Sequence, residues 1–468
     1  MSTVLDYAEM LAVNLEVNGI EPERLKADLA QKFQLTHKAI KEVSISNGMG
    51  FLDLDNTRSN LNHIEALAEK YRERFGTVVV VGIGGSSLGV QAVCQALLGE
   101  SWNLKDDKSR RHCPKVYFLD NLDPVSTREL LEIIDIESTF FNVVSKSGST
   151  AETLALYAII EDLVREEMGS DKVPEHFLFT TDPSVGVLRS IAEAKEIPSL
   201  EVPPEVGGRF SVLSPASLFL GALVGLDVRH IIKGATTAKD QCKTPVLENN
   251  KAGMISTLLY TADVEQNRNV HVLMPYCDRL QKFSLWFQQL WSESLGKARN
   301  SLGELVNSGP TLLTAQGAGD QHSQLQLFAE GPENKIILFL TLRDHGSDVK
   351  IPVETLDPDL FQCLSERGIG ELLNLEHQAT VESLRRKNRP TMTLELGKLD
   401  EEVMGELLML FMIATVYAGD LYQINALDQP GVELGKLLTF AFLDREETSY
   451  SDILQRDSRW RIGNICDD

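Results

Sequence analysis

The chain has 468 residues, of which 43% are hydrophobic and 24% charged, a composition typical of a soluble globular protein with more than one domain. Its net charge of −23, from 45 Lys and Arg against 68 Asp and Glu, disfavours nucleic acid and anionic membranes as partners. The six cysteines show no metal-binding or redox spacing, and the first residues do not resemble a secretory signal, so a cytoplasmic location is predicted.

The first 75 residues are predicted to be helical, because apolar residues recur at helical spacing in "YAEMLAVNLEVN" and "NLNHIEALAEKYRERFG". No apolar run in the chain is long enough to cross a bilayer. The longest, Leu407 to Ala418, is predicted to be a buried core helix.

Short apolar strands then alternate with helices, which predicts an α/β fold with parallel sheets covered by helices on both faces. The strands are predicted at 77–84, 115–121, 139–147, 176–182, 267–276 and 334–342. The helices are predicted at 124–135, 150–168, 279–298 and 406–422. The predicted organisation is an N-terminal helical segment (1–75), two α/β domains (76–235 and 236–441) and a C-terminal tail (442–468).

Two turns that follow apolar strands are candidate anion-binding sites. The first, "GIGGSSLG" from Gly82, lacks the third glycine of the dinucleotide fingerprint because position 87 is a serine, and no P-loop spacing is present. The second, "SKSGSTAET" from Ser145, places several hydroxyls and Lys146 at the start of a helix, where backbone N–H groups favour a phosphate. Ordinary helix capping by Ser and Thr is the alternative for either turn alone.

In "SLWFQQLWSESLGK", helical spacing puts Glu293 on the same side as Trp286, Leu290 and Lys297, with Gln289 one turn before it. A partly desolvated carboxylate there is a candidate general base. The alternative is an ordinary i,i+4 ion pair between Glu293 and Lys297 on a surface helix.

Three further residues are candidates with equally plain alternatives. Arg209 follows two glycines in "EVGGRFSVLSP", where a guanidinium can meet an oxyanion or lie solvated in a surface turn. His322 in "QGAGDQHSQLQLF" and Lys436 in "LDQPGVELGKLL" are either catalytic or solvated polar residues. The histidines show no metal-binding spacing, so no metal is indicated.

Taken in order, these segments resemble the glucose-6-phosphate isomerase (phosphoglucose isomerase) family from about Val78 to Lys436. The motifs that carry the resemblance are "GGRFSVLSP", "ESLGK", "GDQHSQLQ" and "LDQPGVELGK". The resemblance implies two sugar-isomerase domains with extra helices, a homodimer with shared active sites, and no cofactor. The implied reaction is the reversible conversion of glucose 6-phosphate to fructose 6-phosphate, in glycolysis and gluconeogenesis, by ring opening and proton transfer through a cis-enediolate.

The resemblance also implies residue roles. Glu293 corresponds to the base that moves a proton between C2 and C1, and Arg209 to the group that stabilises the cis-enediolate. His322, which the family contributes from the partner subunit, and Lys436 correspond to the ring-opening groups. The implied phosphate contacts are Ser145, Lys146, Ser147, Thr150 and Thr153, and the implied sugar contacts are Gly85, Ser86, Gln289 and Gln429.

Three other functions compete with this interpretation. A non-catalytic sugar-phosphate sensor would need the hydroxyl-rich turn but not Glu293, His322 and Lys436 together. An isomerase that also accepts mannose 6-phosphate would use the same residues. An NAD-linked oxidoreductase would bind nicotinamide cofactor, which the altered glycine spacing disfavours.

Overall fold

The computed structural model describes residues 3–42, 48–352 and 362–443. The strands are β1 (Thr3–Asp6), β2 (Thr77–Val81), β3 (Lys115–Leu119), β4 (Thr139–Ser145), β5 (Phe177–Thr181), β6 (Ser199–Glu201), β7 (Val270–Pro275), β8 (Lys297–Arg299), β9 (Leu305–Ser308), β10 (Thr311–Thr314), β11 (Lys335–Asp344) and β12 (Thr391–Lys398).

The main helices are α1 (Ala30–Glu42), α2 (Leu54–Arg72), α3 (Leu88–Leu98), α4 (Pro124–Ile133), α5 (Ala151–Met168), α6 (Val173–His176), α7 (Val187–Lys195), α8 (Pro215–Leu223), α9 (Val228–Gln241), α10 (Lys251–Gln266), α11 (Gln281–Leu295), α12 (Leu325–Glu330), α13 (Ile369–Arg385), α14 (Glu401–Leu421) and α15 (Glu433–Phe442). Short 3-10 helices at Gly84–Ser86, Gly208–Leu213 and Gly319–His322 carry candidate site residues. Residues up to Leu427 form one compact unit, and α15 belongs to a second unit that begins at Asp428.

The first sheet has the strand order β3-β2-β4-β5-β6, and all its neighbouring strands are parallel. Val78 and Val80 of β2 face one apolar cluster, whereas Val79 and Val81 face another. A parallel strand covered on both faces is apolar at every position, which is why β2 is a continuous run of valines. The α/β fold with parallel sheets flanked by helices is thus confirmed.

The second sheet has the order β1-β12-β11-β7-β10 and is parallel except for β1, which pairs antiparallel with β12. β8 and β9 form a separate antiparallel hairpin directly after α11. Ligands of open parallel sheets bind beyond the carboxyl ends of the strands. The turns after β2, β4 and β10 hold the glycine-rich segment, the hydroxyl-rich segment and His322, respectively.

The prediction that residues 7–18 are helical is wrong. This stretch contains a single 3-10 turn, Ala8–Met10, followed by turns and an isolated bridge from Leu11 to Ile20. The Asp6 carboxylate accepts from the Ala8 backbone N–H at 2.9 Å, and the Asn14 amide donates to the Ala8 carbonyl at 3.0 Å. These side chains satisfy backbone groups locally and so compete with a helix. The preceding residues form β1, so the N-terminal segment also contributes an edge strand.

The long apolar helix α14 is confirmed as a core helix. It extends beyond the run Leu407 to Ala418 at both ends, so that, contrary to expectation, it could cross a membrane by length and composition, but 94% of its apolar window is buried inside the protein. Every residue from Val403 to Gly419 is buried. A helix that is apolar all round is explained here by protein contacts on all sides.

The predicted domain bounds stay a prediction. α9 runs from Val228 to Gln241 and therefore crosses the boundary expected between residues 235 and 236. Residues 444–468, which include most of the predicted tail, lie outside the described residues.

Two buried histidines predict that stability falls on acidification. Burial lowers the pKa of His271 on β7 to about 3, and burial lowers the pKa of His377 on α13 to about 4. Below about pH 6.5 these histidines are protonated in the unfolded chain but stay neutral in the folded protein. The free energy of unfolding therefore decreases as the pH falls towards 4. The loss is up to about 1.4 kcal/mol per pH unit for each ring.

Urea unfolding between pH 7.5 and 5 measures this dependence. His377→Gln is expected to reduce the slope of unfolding free energy against pH. Phe283→Leu, a change at a buried ring that contacts Trp286 and Phe411, serves as the control and lowers stability equally at every pH. An unchanged slope in His377→Gln contradicts the assignment to this histidine.

Candidate active site

The glycine-rich turn after β2 is held between two neighbouring segments. A Cβ atom on Gly85 would lie 2.4 Å from the Gly208 carbonyl carbon, and one on Gly82 would lie 2.7 Å from the Val144 carbonyl oxygen. Gly84 has a φ of +57°, which favours glycine. The glycines therefore let this turn approach both the end of β4 and the segment that contains Arg209.

Ser87, which replaces the third glycine of the dinucleotide pattern, is part of a buried polar network. The Gln91 amide donates to Ser87 Oγ at 2.6 Å and to the Asp120 carboxylate at 2.6 Å. This network ties the start of α3 to the residue that follows β3. This network is not predicted from the sequence, although Ser87, the N-cap of α3, and Gln91 have the i,i+4 spacing that brings side chains together.

The hydroxyl-rich turn after β4 ends at the N-terminus of α5. Thr150 Oγ1 lies 3.1 Å from Ser145 Oγ and 3.4 Å from Ser147 Oγ, both within hydrogen-bond distance. Gly148 has a φ of +62°, which lets the backbone turn tightly between these hydroxyls. The three hydroxyls thus converge at a helix N-terminus, an arrangement suited to a phosphate.

Lys146 and Thr153 complete this turn in different ways. Lys146 Nζ donates to the Pro204 carbonyl at 2.7 Å. Burial lowers the pKa of the Lys146 ammonium, whereas the nearby Asp182 and Glu205 carboxylates act to raise it. Thr153 is buried in the first turn of α5, and its hydroxyl has no hydrogen-bond partner among the described residues.

Glu293 lies near the C-terminal end of α11, and its side chain is 26% exposed. The Gln289 amide donates to Glu293 Oε2 at 3.0 Å. A Cβ atom on Gly84 would lie 3.1 Å from Gln289 Nε2, so this amide also lies against the glycine-rich turn. The carboxylate is therefore mostly shielded from water and contacts a polar side chain that touches the turn.

The expectation that Lys297 continues the helical face of Glu293 is wrong, because α11 ends at Leu295 and Lys297 begins β8. Lys297 Nζ donates to the backbone carbonyls of Glu293 and Ser294, at 2.8 and 2.7 Å. These are carbonyls of the last helical turn, which a cation stabilises.

Arg209 is buried rather than solvated, with 3% of its surface exposed. Its Nη1 lies 3.5 Å from Glu293 Oε1. Its Nε donates to Ser294 Oγ at 2.7 Å, and its Nη2 donates to the Ala426 carbonyl at 2.6 Å. A buried guanidinium thus faces the candidate base, and Ser294 and the Ala426 carbonyl are site groups that sequence analysis missed.

The remaining candidates are His322, in the first unit, and Gln429 and Lys436, in the second. The exposed His322 ends a 3-10 helix after β10, and its ring makes no hydrogen bond or ion pair within the described ranges. In the second unit, the exposed Lys436 pairs with Glu433 at 2.8 Å, and Gln429 precedes the 3-10 helix Pro430–Val432. The contacts described above group Gly85, Gln289, Glu293 and Arg209, and Ser86 lies in the same glycine-rich turn as Gly85.

Comparisons with known proteins agree on one family. The family model described as phosphoglucose isomerase matches residues 69–458. The chain is 38% identical over 441 residues to a glucose-6-phosphate isomerase of Rubrobacter xylanophilus, covering 94% of this chain and 98% of the relative. It is 36% identical over 446 residues to a glucose-6-phosphate isomerase of Carboxydothermus hydrogenoformans, covering 93% and 96%.

Two solved structures share the fold of this chain. A hypothetical protein of Thermus thermophilus superposes with a TM-score of 0.82 at 34% identity, covering 95% of this chain and 100% of that one. A glucose-6-phosphate isomerase of Chlamydia trachomatis superposes with a TM-score of 0.82 at 21% identity, covering 96% and 90%, which supports the shared fold.

Proposed function

The chain belongs to the phosphoglucose isomerase family, and from this premise we propose how its residues catalyse the reversible isomerisation of glucose 6-phosphate to fructose 6-phosphate. The observation that supports the mechanism most directly is the approach of Arg209 Nη1 to Glu293 Oε1, 3.5 Å, beside the glycine-rich turn. A base and a fixed cation at one position suit a reaction that makes an anion by losing a proton.

The reaction begins with the phosphate held by the turn after β4. The phosphate accepts hydrogen bonds from the hydroxyls of Ser145, Ser147 and Thr150 and from the N–H groups at the N-terminus of α5. The Thr153 hydroxyl, which has no partner among the described residues, is a further donor. Lys146 adds positive charge in a strongly acidic protein. The sugar hydroxyls contact Gly85, Ser86, Gln289 and Gln429.

Ring opening precedes the proton transfer. His322 and Lys436 move protons between the ring oxygen and the C1 hydroxyl, which leaves an aldehyde at C1. His322 acts across the interface of a homodimer, which agrees with its exposed ring and its lack of a partner in the described part of one chain.

Glu293 then takes the proton from C2 of the open-chain aldose. The C1 carbonyl oxygen becomes the oxyanion of a cis-enediolate, and Arg209 offsets its charge. Glu293 returns the proton to C1, and the proton of the C2 hydroxyl moves to the C1 oxygen, which leaves a ketone at C2. Electrostatic stabilisation of this kind is worth about 3–4 kcal/mol for one well-placed donor.

The proposal also covers the domain organisation, the oligomeric state and the location of the enzyme. The parallel strands of the two sheets belong to two sugar-isomerase domains, at about 76–235 and 236–441, and the enzyme is a cytoplasmic homodimer. The net charge of −23 and the scattered cysteines support this location.

An isomerase assay with glucose, mannose and fructose 6-phosphates, with and without chelator, tests the proposed function. We expect conversion between the glucose and fructose esters that does not change with chelator. Conversion of the mannose ester would extend the substrate range. Binding without turnover of any ester would favour a sugar-phosphate sensor.

Thr150→Val tests the phosphate turn. Thr150 Oγ1 lies near two other hydroxyls, so we expect KM for fructose 6-phosphate to rise about tenfold or more, as loss of a hydrogen bond to a charged group costs about 1.5–3 kcal/mol. Turnover at saturation should change little. Thr237→Val, on the exposed face of α9, is the control. An unchanged KM in Thr150→Val contradicts the phosphate role of this turn.

A further inference from the structure

The orientation of the Arg209 guanidinium depends on the residue next to the candidate base. Ser294 follows Glu293 on α11 and is completely buried. Its Oγ accepts the Arg209 Nε–H at 2.7 Å. The same helical end therefore carries the carboxylate and an acceptor that holds the cation facing it.

Because the guanidinium is planar, the contact with Ser294 Oγ helps to fix the orientation of the whole group. The N–H donors of a guanidinium lie in one plane in a fixed fork, and Nε and Nη2 share one edge. Ser294 Oγ and the Ala426 carbonyl accept from these two atoms at 2.7 and 2.6 Å. Two acceptors on one edge fix both the plane and its rotation, which directs Nη1 to Glu293, 3.5 Å away.

We propose that Ser294 is a positioning residue that sets the Arg209 guanidinium for enediolate stabilisation. The proposal deepens the proposed mechanism and rests on the role of Arg209 in it. Without the hydroxyl, the buried Nε–H loses the Ser294 acceptor, and the guanidinium is held less firmly in the plane that directs Nη1 to Glu293. Preorganised donors stabilise developing charge only while they are held in place.

The last turn of α11 supports this arrangement. Lys297 Nζ binds the Ser294 carbonyl at 2.7 Å and the Glu293 carbonyl at 2.8 Å. This cation holds the backbone that carries both side chains. Ser294 and Glu293 are therefore presented as one unit, and Arg209 is aligned with the base by contacts to that unit.

The first experiment separates turnover from binding. Ser294→Ala is expected to lower kcat about tenfold to a hundredfold, the cost usual for removing a group that orients a functional ligand, with KM for fructose 6-phosphate within about twofold. Ser284→Ala is the matched control, because Ser284 is a buried serine on the same helix whose hydroxyl donates to the Leu280 carbonyl. It should change neither constant. Thermal unfolding of both variants checks the folded fraction.

The second experiment is a double-mutant cycle with Arg209→Ala. If Ser294 acts through Arg209, the double variant should have the kcat of Arg209→Ala alone, because the group that Ser294 orients is already gone. A kcat for Ser294→Ala within about twofold of the parent enzyme overturns the proposal, as do independent, multiplicative losses in the double variant.

The outcomes distinguish a failure of the proposed role of Arg209 from a failure of the positioning role of Ser294. A normal kcat in Arg209→Ala shows that the proposed role of Arg209 is wrong, and the inference about Ser294 is then wrong with it. A slow Arg209→Ala enzyme combined with a fully active Ser294→Ala enzyme leaves the mechanism intact and overturns the positioning role alone.

Discussion

Glu293→Gln is expected to fold and bind sugar phosphate but to lose turnover by about 10²–10⁴-fold, the range for removing a general acid–base group. An amide keeps the shape of the side chain and its contact with Gln289, but it does not accept the C2 proton. The phosphate turn and Arg209 are untouched, so KM should change far less than kcat. A coupled assay that follows NADP reduction measures the loss.

Binding can be followed on the same helix. Trp286 and Trp291 are buried on α11, so quenching of their fluorescence by fructose 6-phosphate reports substrate binding in a variant that does not turn over. Glu304→Gln, on the exposed hairpin after α11, is the matched control and should retain full activity. Near-normal turnover in Glu293→Gln would remove the central step of the mechanism.

Much of the fold follows from local sequence patterns. The run at β2 is apolar at every position after Thr77, and β4 carries two apolar pairs, Phe140–Phe141 and Val143–Val144, because both faces of a parallel sheet are covered. Such runs are visible without any structure. The predicted helices at 150–168, 279–298 and 406–422 are likewise confirmed within a few residues at their ends. In these elements, periodicity and burial favour the same structure.

The failures occur where side chains compete with the backbone. Asp6 and Asn14 bind backbone groups near them, and the apolar spacing of residues 7–18 gives no sign of those bonds. Lys297, at a helix end, is a second side chain whose bonds to the backbone are not predicted by spacing. Its charge and spacing fit a surface ion pair, whereas its ammonium caps the last carbonyls of α11.

In the candidate site, too, local contacts follow from the sequence and contacts between distant segments do not. The contact between Gln289 and Glu293 is one helical turn long and follows from spacing alone. The approach of Arg209 to Glu293 joins two distant segments, and only tertiary packing or the family resemblance could suggest it. The sequence does not predict a role for Ser294 or for the Ala426 carbonyl, because a buried serine and a backbone oxygen are recognised as site groups only by the hydrogen bonds that they accept.

His322→Ala is expected to slow the isomerisation of the cyclic sugar phosphate more than that of an open-chain substrate. The variant keeps Glu293 and Arg209, so proton transfer on an already open chain should proceed, whereas ring opening loses its acid–base group. Equal losses on both substrates contradict a ring-opening role. Gln326→Ala, a change at an exposed side chain on α12, is a nearby control.

A mixed dimer tests whether His322 acts across a subunit interface. One chain carries Glu293→Gln and the other His322→Ala, each with its own affinity tag, so that dimers with one copy of each can be purified. If His322 serves the partner's site, one site of this dimer combines an intact Glu293 with an intact His322, and about half of the parental activity returns. If His322 serves its own chain, both sites are defective and no activity returns. The exposed ring of His322, with no hydrogen bond or ion pair in the described part of its own chain, leads us to expect recovery.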